Sequence, residues 1–398
     1  MKNLVFNIKN SIDKKKWMFI ALLFFPFIYK VWLPSGSSIY FLDYIRDKWK
    51  LFSLLILIIM FIKRKKKPSK LLLITLLLEI WTLIITVINN PNGIKETIVY
   101  ISAVLSISLL IEIYMDDIKA LLNGLMINFE VFLYLNFITI ILYHSTQGYN
   151  GAHYLLGYYN TMMIYAYPAV ALAIAYMYIN KKYIRSSLLI VISILTILLA
   201  GGSTPLGSLL ATLFAITIGL FINKKNIKIN HYGLLLFVIA FLFCIFILFI
   251  FEGGKFKLLD FVIEEILHRN TTFTNRIPIW KKAEEMFINN PLGYGRETLI
   301  EAAPSWFLVH AHNEYLTVLV FTGVIGFILF MASNILVILN VDKQNKSVIK
   351  YLFIGLMFGI FISYVTEAYQ KDYFFYIVFF IVYNIDVLFN VKQYEKTK

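Results

Sequence analysis

The chain has 398 residues, of which 60% are hydrophobic, 17% aromatic and only 15% charged, with a formal net charge of +14. Soluble domains carry about 45–50% apolar and about 25% charged residues, so a water-soluble globule and a disordered chain are both excluded. The positive balance does not point to nucleic acid, because the lysines sit in short stretches between apolar runs long enough to cross a bilayer.

In chain order the apolar runs predict twelve spans of a polytopic, all-α membrane bundle. They lie near 17–33, 45–62, 71–89, 97–115, 124–143 and 158–179, then 187–200, 206–222, 232–251, 315–341, 349–364 and 373–389. The first follows Lys14–Lys16 but lacks an A-x-A-like cleavage site before Pro34, so it reads as a retained span. The second is the weakest, with Arg46, Lys48 and Lys50 at its start. Gly201–Pro205 reads as the tight turn between spans seven and eight.

With the N terminus inside, the inward segments carry 24 Lys or Arg and the outward segments 13. Seven of those 13 fall in one long segment, 252–313, which counts little in the positive-inside rule. The comparison therefore predicts both termini inside and that segment outside. The whole chain reads as one integral membrane domain, and its single cysteine, Cys244, permits no internal disulfide. Glu79 and Glu130 are carboxylates that fall inside spans. Glu79 has a groove, a pairing with Lys30 or a proton path open to it, and Glu130 has reach to the inner interface.

The outward segment predicts two amphipathic helices. One places Leu259, Val262, Ile263 and Ile266 on a face; the other runs through Ile279, Ala283, Met286 and Phe287, with Pro278 in its first turn and Asn289-Asn290-Pro291 closing it. Three of the six arginines (Arg269, Arg276, Arg296) lie in this segment, and five of the six histidines lie outward. Arginine grips phosphate through a planar fork, and histidine moves protons near neutral pH. A phosphate-bearing substrate and acid–base chemistry on the outer face are the expectation. His310-Ala-His312 has metal-like spacing but no evident third ligand in the sequence, so no metal and no cofactor are expected. Glu314 is an alternative base or a partner that orients His312, and Glu367, Lys371 and Asp372 cluster at another outward junction, with joining the site or forming a solvated loop end both open to them. Trp280, Trp306, Tyr294 and Tyr369 offer faces for sugars or anchors for the interface.

Four short motifs follow one another in order: Arg276-Ile-Pro-Ile-Trp280, Asn290-Pro-Leu-Gly-Tyr-Gly295, His312-Asn-Glu-Tyr-Leu316 and Gly323-Val-Ile-Gly326. Together they resemble the signature region of the O-antigen ligase and Wzy-type polysaccharide polymerase superfamily. The resemblance implies a multi-pass glycosyltransferase of a bacterial cytoplasmic membrane. It would transfer glycan from an undecaprenyl-pyrophosphate-linked oligosaccharide to a sugar hydroxyl of a lipid-linked repeat unit, inverting the anomeric centre without a metal. It also implies work alongside a chain-length regulator and a flippase of the same pathway. By the same resemblance Arg276 holds pyrophosphate, His312 is the essential histidine, Gly293 and Gly295 shape a turn, and Asn313 orients the histidine. The family's Ser-Arg pair between the middle spans has no counterpart at Gly202-Ser203-Thr204-Pro205, so Arg296 first and Arg269 second are expected to supply the other arginine. A ligase that transfers finished glycan to lipid A–core or to protein fits the same motifs, while the composition leans toward a capsule or exopolysaccharide polymerase. Outside the superfamily, a flippase of lipid-linked sugars or an assembly scaffold are the competing readings. A transporter would more often show internal repeats and midplane ionisable groups.

Overall fold

The structure is a computed structural model, and it describes residues 14–28, 40–143, 153–253, 276–302, 307–369 and 372–396. It is all-α apart from two short hairpins. The helices are α1 (Lys14–Ile28), α2 (Tyr40–Lys63), α3 (Lys70–Asn89), α4 (Ile94–Tyr114), α5 (Ile118–Tyr143), α6 (Met163–Asn180), α7 (Tyr183–Ala200), α8 (Ser203–Lys224) and α9 (Tyr232–Gly253). After these come α10 (Arg276–Asn289), α11 (Glu314–Asp342), α12 (Val348–Thr366), α13 (Phe375–Tyr383) and α14 (Ile385–Lys396). The hairpins pair β1 (His153–Tyr154) with β2 (Gly157–Tyr158) and β3 (Ile300–Ala302) with β4 (Phe307–Val309), both antiparallel.

Helices occupy all twelve predicted stretches, and a multi-pass membrane protein follows. The count of twelve does not. Among the described residues seven helical stretches are long and apolar enough to cross a bilayer, and one of them, 91–142, holds both α4 and α5. The short α13, nine residues long, is buried almost throughout, so it sits in the bundle interior. The turn predicted at 201–205 is shorter than expected: Gly201 closes α7 with φ 72°, and Ser203–Pro205 already form the first turn of α8. The helix predicted at 256–267, together with His268, Arg269, His144, Trp306, Lys30 and Lys371, lies outside the described residues.

Polar contacts and glycines hold the interior where apolar surface against lipid contributes little to helix association. Along α8 and α12, Tyr167 Oη lies 2.8 Å from Ser208 Oγ and 2.7 Å from Thr212 Oγ1, and Ser208 Oγ donates to the Gly359 carbonyl at 2.6 Å. Glu130, a carboxylate within α5, accepts a two-pronged contact from Arg185, Nε to Oε1 at 2.6 Å and Nη2 to Oε2 at 2.8 Å. Arg185 Nη1 also donates to Asn123 Oδ1 at 2.9 Å. Arg185→Ala is expected to lower stability by about 1–3 kcal/mol, because the half-buried carboxylate loses its charged donor. Glu130→Gln in the same chain should return part of that loss. Thermal unfolding in lipid nanodiscs measures both; equal midpoints for wild type and single variant would exclude a stabilising pair.

One joint positions the site. The helix α11 is broken at Gly323 (φ 61°, ψ −165°), a backbone region that only glycine occupies readily. In a bilayer the freed backbone groups need partners. The turn Pro291–Gly295 supplies them: Tyr294 N–H donates to Val320 O at 2.8 Å, Gly295 N–H to Phe321 O at 2.9 Å, and Val324 N–H to Pro291 O at 2.9 Å. Trp81 of α3 satisfies the Thr322 carbonyl at 2.7 Å. A Cβ at Gly293 (φ 101°) would stand 2.6 Å from Gly323 N, which explains glycine there. The end of α3 then fastens the turn, Asn89 Nδ2 donating to Gly293 O at 2.7 Å and Asn90 Nδ2 to Arg296 O at 2.8 Å.

Candidate active site

Four side chains far apart in the sequence meet just outside the ends of α11 and α12. Glu367 follows α12, is 6% exposed, and lies at the centre. His312 Nδ1 is 3.0 Å from its Oε1, and His310 Nε2 is 3.5 Å from the same oxygen. Its Oε2 faces Arg276 Nη2 at 3.5 Å, and Arg276 Nη1 donates to the Thr366 carbonyl. The two imidazole rings lie 4.3 Å apart, centroid to centroid.

Local structure holds each group in place. His312 has φ 48°, a left-handed conformation that costs a non-glycine residue free energy unless its surroundings enforce it. The enforcing contacts are on both sides of it. Trp280 of α10 is buried and donates its indole N–H to the Ala311 carbonyl at 2.8 Å. Asn313 caps α11, its Oδ1 accepting from Leu316 N at 3.0 Å while its Nδ2 donates to Val365 O at 3.0 Å. These contacts revise two expectations. Trp280 spends its polar end pinning the histidine segment and has no open face for a sugar, because α10 turns its Ile279, Trp280, Ala283 stripe inward. Asn313 acts on the backbone next to His312, and the contact that orients the ring comes from Glu367 instead.

Electrostatics divide the roles. Burial works to raise the Glu367 carboxyl, but hydrogen bonds from His310 and His312 and the charge of Arg276 outweigh it, holding the group well below the usual carboxylate range. Burial, more than the opposing hydrogen bond to Glu367, lowers His312 from its ordinary value, so the ring is neutral at neutral pH. A neutral ring facing a carboxylate carries its proton on Nδ1, leaving the Nε2 lone pair to accept another.

Beside this cluster a cavity is lined by Glu79, Thr82, Tyr100, Arg296, His310, Glu314 and Tyr369, with apolar walls from Leu78, Val318 and Phe321. Arg296 is 9% exposed and its guanidinium stacks 3.4 Å from the centre of the Tyr100 ring. The φ of 89° at Gly295 and the hydrogen bond from Arg296 N–H to Thr86 Oγ1 (2.9 Å) set its direction. Glu314, in the first turn of α11, accepts from Tyr369 N–H at 3.1 Å and so bridges two segments beside the cavity. Glu79 thus faces a cavity that also holds an arginine.

The structure therefore brings Arg276, His310, His312 and Glu367 together and sets Arg296, Glu314 and Glu79 around the adjoining cavity. Arg269 lies outside the described residues. Thr204, at the turn without an arginine, reaches Thr366 Oγ1 at 3.2 Å, so that turn abuts the Arg276 side of the site. Tyr158, which the sequence did not single out, lies within electrostatic reach of Glu367 and Arg276. Burial first, then its hydrogen bond with Tyr159 and the Glu367 charge, raise its phenol far above the ordinary value.

Residues 188–331 match a protein-family model described as O-antigen ligase. No curated protein matches the chain. The matched stretch contains Arg276, Arg296, His310, His312 and Gly323, whereas Glu367 and Glu79 come from outside it.

Proposed function

From the match of residues 188–331 to a family model described as O-antigen ligase, we propose that the chain is a membrane glycosyltransferase of the O-antigen ligase and Wzy-type superfamily, with a specific reaction at this site. The chain polymerises oligosaccharide repeat units carried on undecaprenyl pyrophosphate, at the outer face of a bacterial cytoplasmic membrane, with both its termini inside. The observation that carries this reading is the His312–Glu367 pair with Arg276 on the carboxylate's other oxygen.

In this mechanism the acceptor sugar hydroxyl gives its proton to His312 Nε2 as its oxygen attacks the anomeric carbon. The bond from that carbon to the pyrophosphate oxygen breaks, and the electron pair leaves with the pyrophosphate. Single displacement inverts the anomeric centre. Glu367 keeps the His312 proton on Nδ1 and stabilises the imidazolium as it forms. Arg276 engages one carbonyl and one carboxylate oxygen and has further N–H donors on the same rigid fork for the departing phosphates. Arg296, fixed on Tyr100, supplies the second positive charge in the cavity. The positive charges lie where negative charge develops, which is the arrangement that lowers such a barrier. No resident metal is required for this route.

Purified protein reconstituted with undecaprenyl-pyrophosphate repeat units, without nucleotide and with excess EDTA, should produce a ladder of longer glycans. Arg276→Ala should slow the ladder by about 10²–10³-fold, the usual loss for one donor to a developing oxyanion. Absence of a ladder from wild type with a competent substrate would overturn the polymerase reading.

A further inference from the structure

Among the described residues, His310, His312 and Glu367 offer three ligand atoms that all lie within 4.8 Å of one another. We propose that this triad is a binding site for a divalent transition cation of the Zn2+ class, and that its occupancy switches the transferase off. The inference rests on the role given to His312 above only for the second half; the binding half stands on the geometry.

Zinc held at 2.0–2.1 Å by nitrogen and oxygen in a tetrahedron sets neighbouring ligand atoms roughly 3.3 Å apart. Two edges of that figure already exist, His312 Nδ1 to Glu367 Oε1 at 3.0 Å and His310 Nε2 to the same oxygen at 3.5 Å. The third edge, between the two ring nitrogens, is no longer than 4.8 Å and closes by side-chain rotation. One carboxylate oxygen faces both histidines, while the other is turned to Arg276. That is the outer-shell contact which orients a monodentate carboxylate. The histidine side chains are 24% and 26% exposed, so an ion has a path in, and three protein ligands leave a fourth position for water.

Occupancy moves one proton. A cation on His312 Nδ1 takes the lone pair of that nitrogen, and the ring remains neutral only with its proton on Nε2. That nitrogen is the one that must accept the hydroxyl proton. The metallated site has therefore lost its base without losing substrate contacts at Arg296, and the reaction stops until a chelator removes the ion.

Equilibrium dialysis of the purified full chain against Zn2+, with metal analysis, should show one ion per chain. His310→Ala and Glu367→Gln should each weaken binding by about 100-fold, at or above the 10–100-fold cost of losing an outer-shell partner. His231→Ala, an exposed histidine away from the triad, should leave it unchanged. Co2+ bound to wild type should give the visible bands of a tetrahedral nitrogen–oxygen site without a thiolate charge-transfer band, which keeps the test valid if a variant misfolds. No stoichiometric binding, or Zn2+ affinity indifferent to both triad substitutions, would overturn the site. Zn2+ should also arrest glycan elongation, and EDTA should restore it; full elongation by the Zn2+-loaded protein would overturn the switch. If wild type never elongates glycan, the dialysis and the Co2+ spectrum still decide the binding claim.

Discussion

His312→Ala should slow glycan elongation by about 10²–10⁴-fold, the range over which a positioned general base contributes. The donor KM should barely move, since Arg276 and Arg296 remain. Glu367→Gln should lose rate over a similar range while keeping the fold of the site, because the amide can still accept a hydrogen bond but cannot stabilise an imidazolium. The two losses should not multiply: His312 and Glu367 lie 3.0 Å apart and act as one unit, so the double variant should be no slower than the worse single one by more than a small factor. Initial rates of ladder growth at saturating donor measure this. Multiplicative losses would show that Glu367 acts on something other than His312.

Gly323→Ala should be the most destabilising single methyl in the chain. At φ 61° and ψ −165° a side chain costs about 1–3 kcal/mol in backbone strain alone. The added Cβ would also press on the backbone of Pro291 and Leu292, which cannot step aside without releasing the turn. The break in α11 and the seat of Arg296 would go together, so thermal stability and activity should fall in parallel. Gly207→Ala is the control, since a Cβ there meets nothing within 4 Å. Unfolding midpoints in nanodiscs separate the two; matching midpoints for Gly323→Ala and Gly207→Ala would show that the turn does not clamp the break.

Much of the fold was legible because a bilayer writes its demands plainly into hydropathy. Leu71–Asn89 and the turn at Gly201 fall where the apolar runs and glycines place them. The span count was less legible, since α13 is only nine residues long and α2 carries Arg46, Asp47, Lys48 and Lys50 in its first half. At the site, Arg276, His312 and the two turn glycines were readable from residue type and order. Glu367 was legible only as one of three charged residues at another outward junction that could join the site; its pairing with His312 was not, because 55 residues separate the two and no local pattern encodes a contact made by tertiary packing. Trp280 misled for a related reason. The residue type suits sugar stacking and interior pinning equally, and only the inward face of α10 chooses between them.

The clamp on the broken helix has a consequence for what counts as a unit in this chain. Trp81 reaches Thr322 across 241 positions, and Asn89 and Asn90 reach Gly293 and Arg296 across 204 and 206. On the far side, Glu367 arrives after the matched stretch has ended. A fragment of residues 188–331 would carry every motif by which the sequence is recognised, yet it would leave the carbonyl of Thr322 bare and His312 without its carboxylate. Recognition and autonomy are therefore separate properties here: the segment that carries the family match is held in shape by residues that lie outside it.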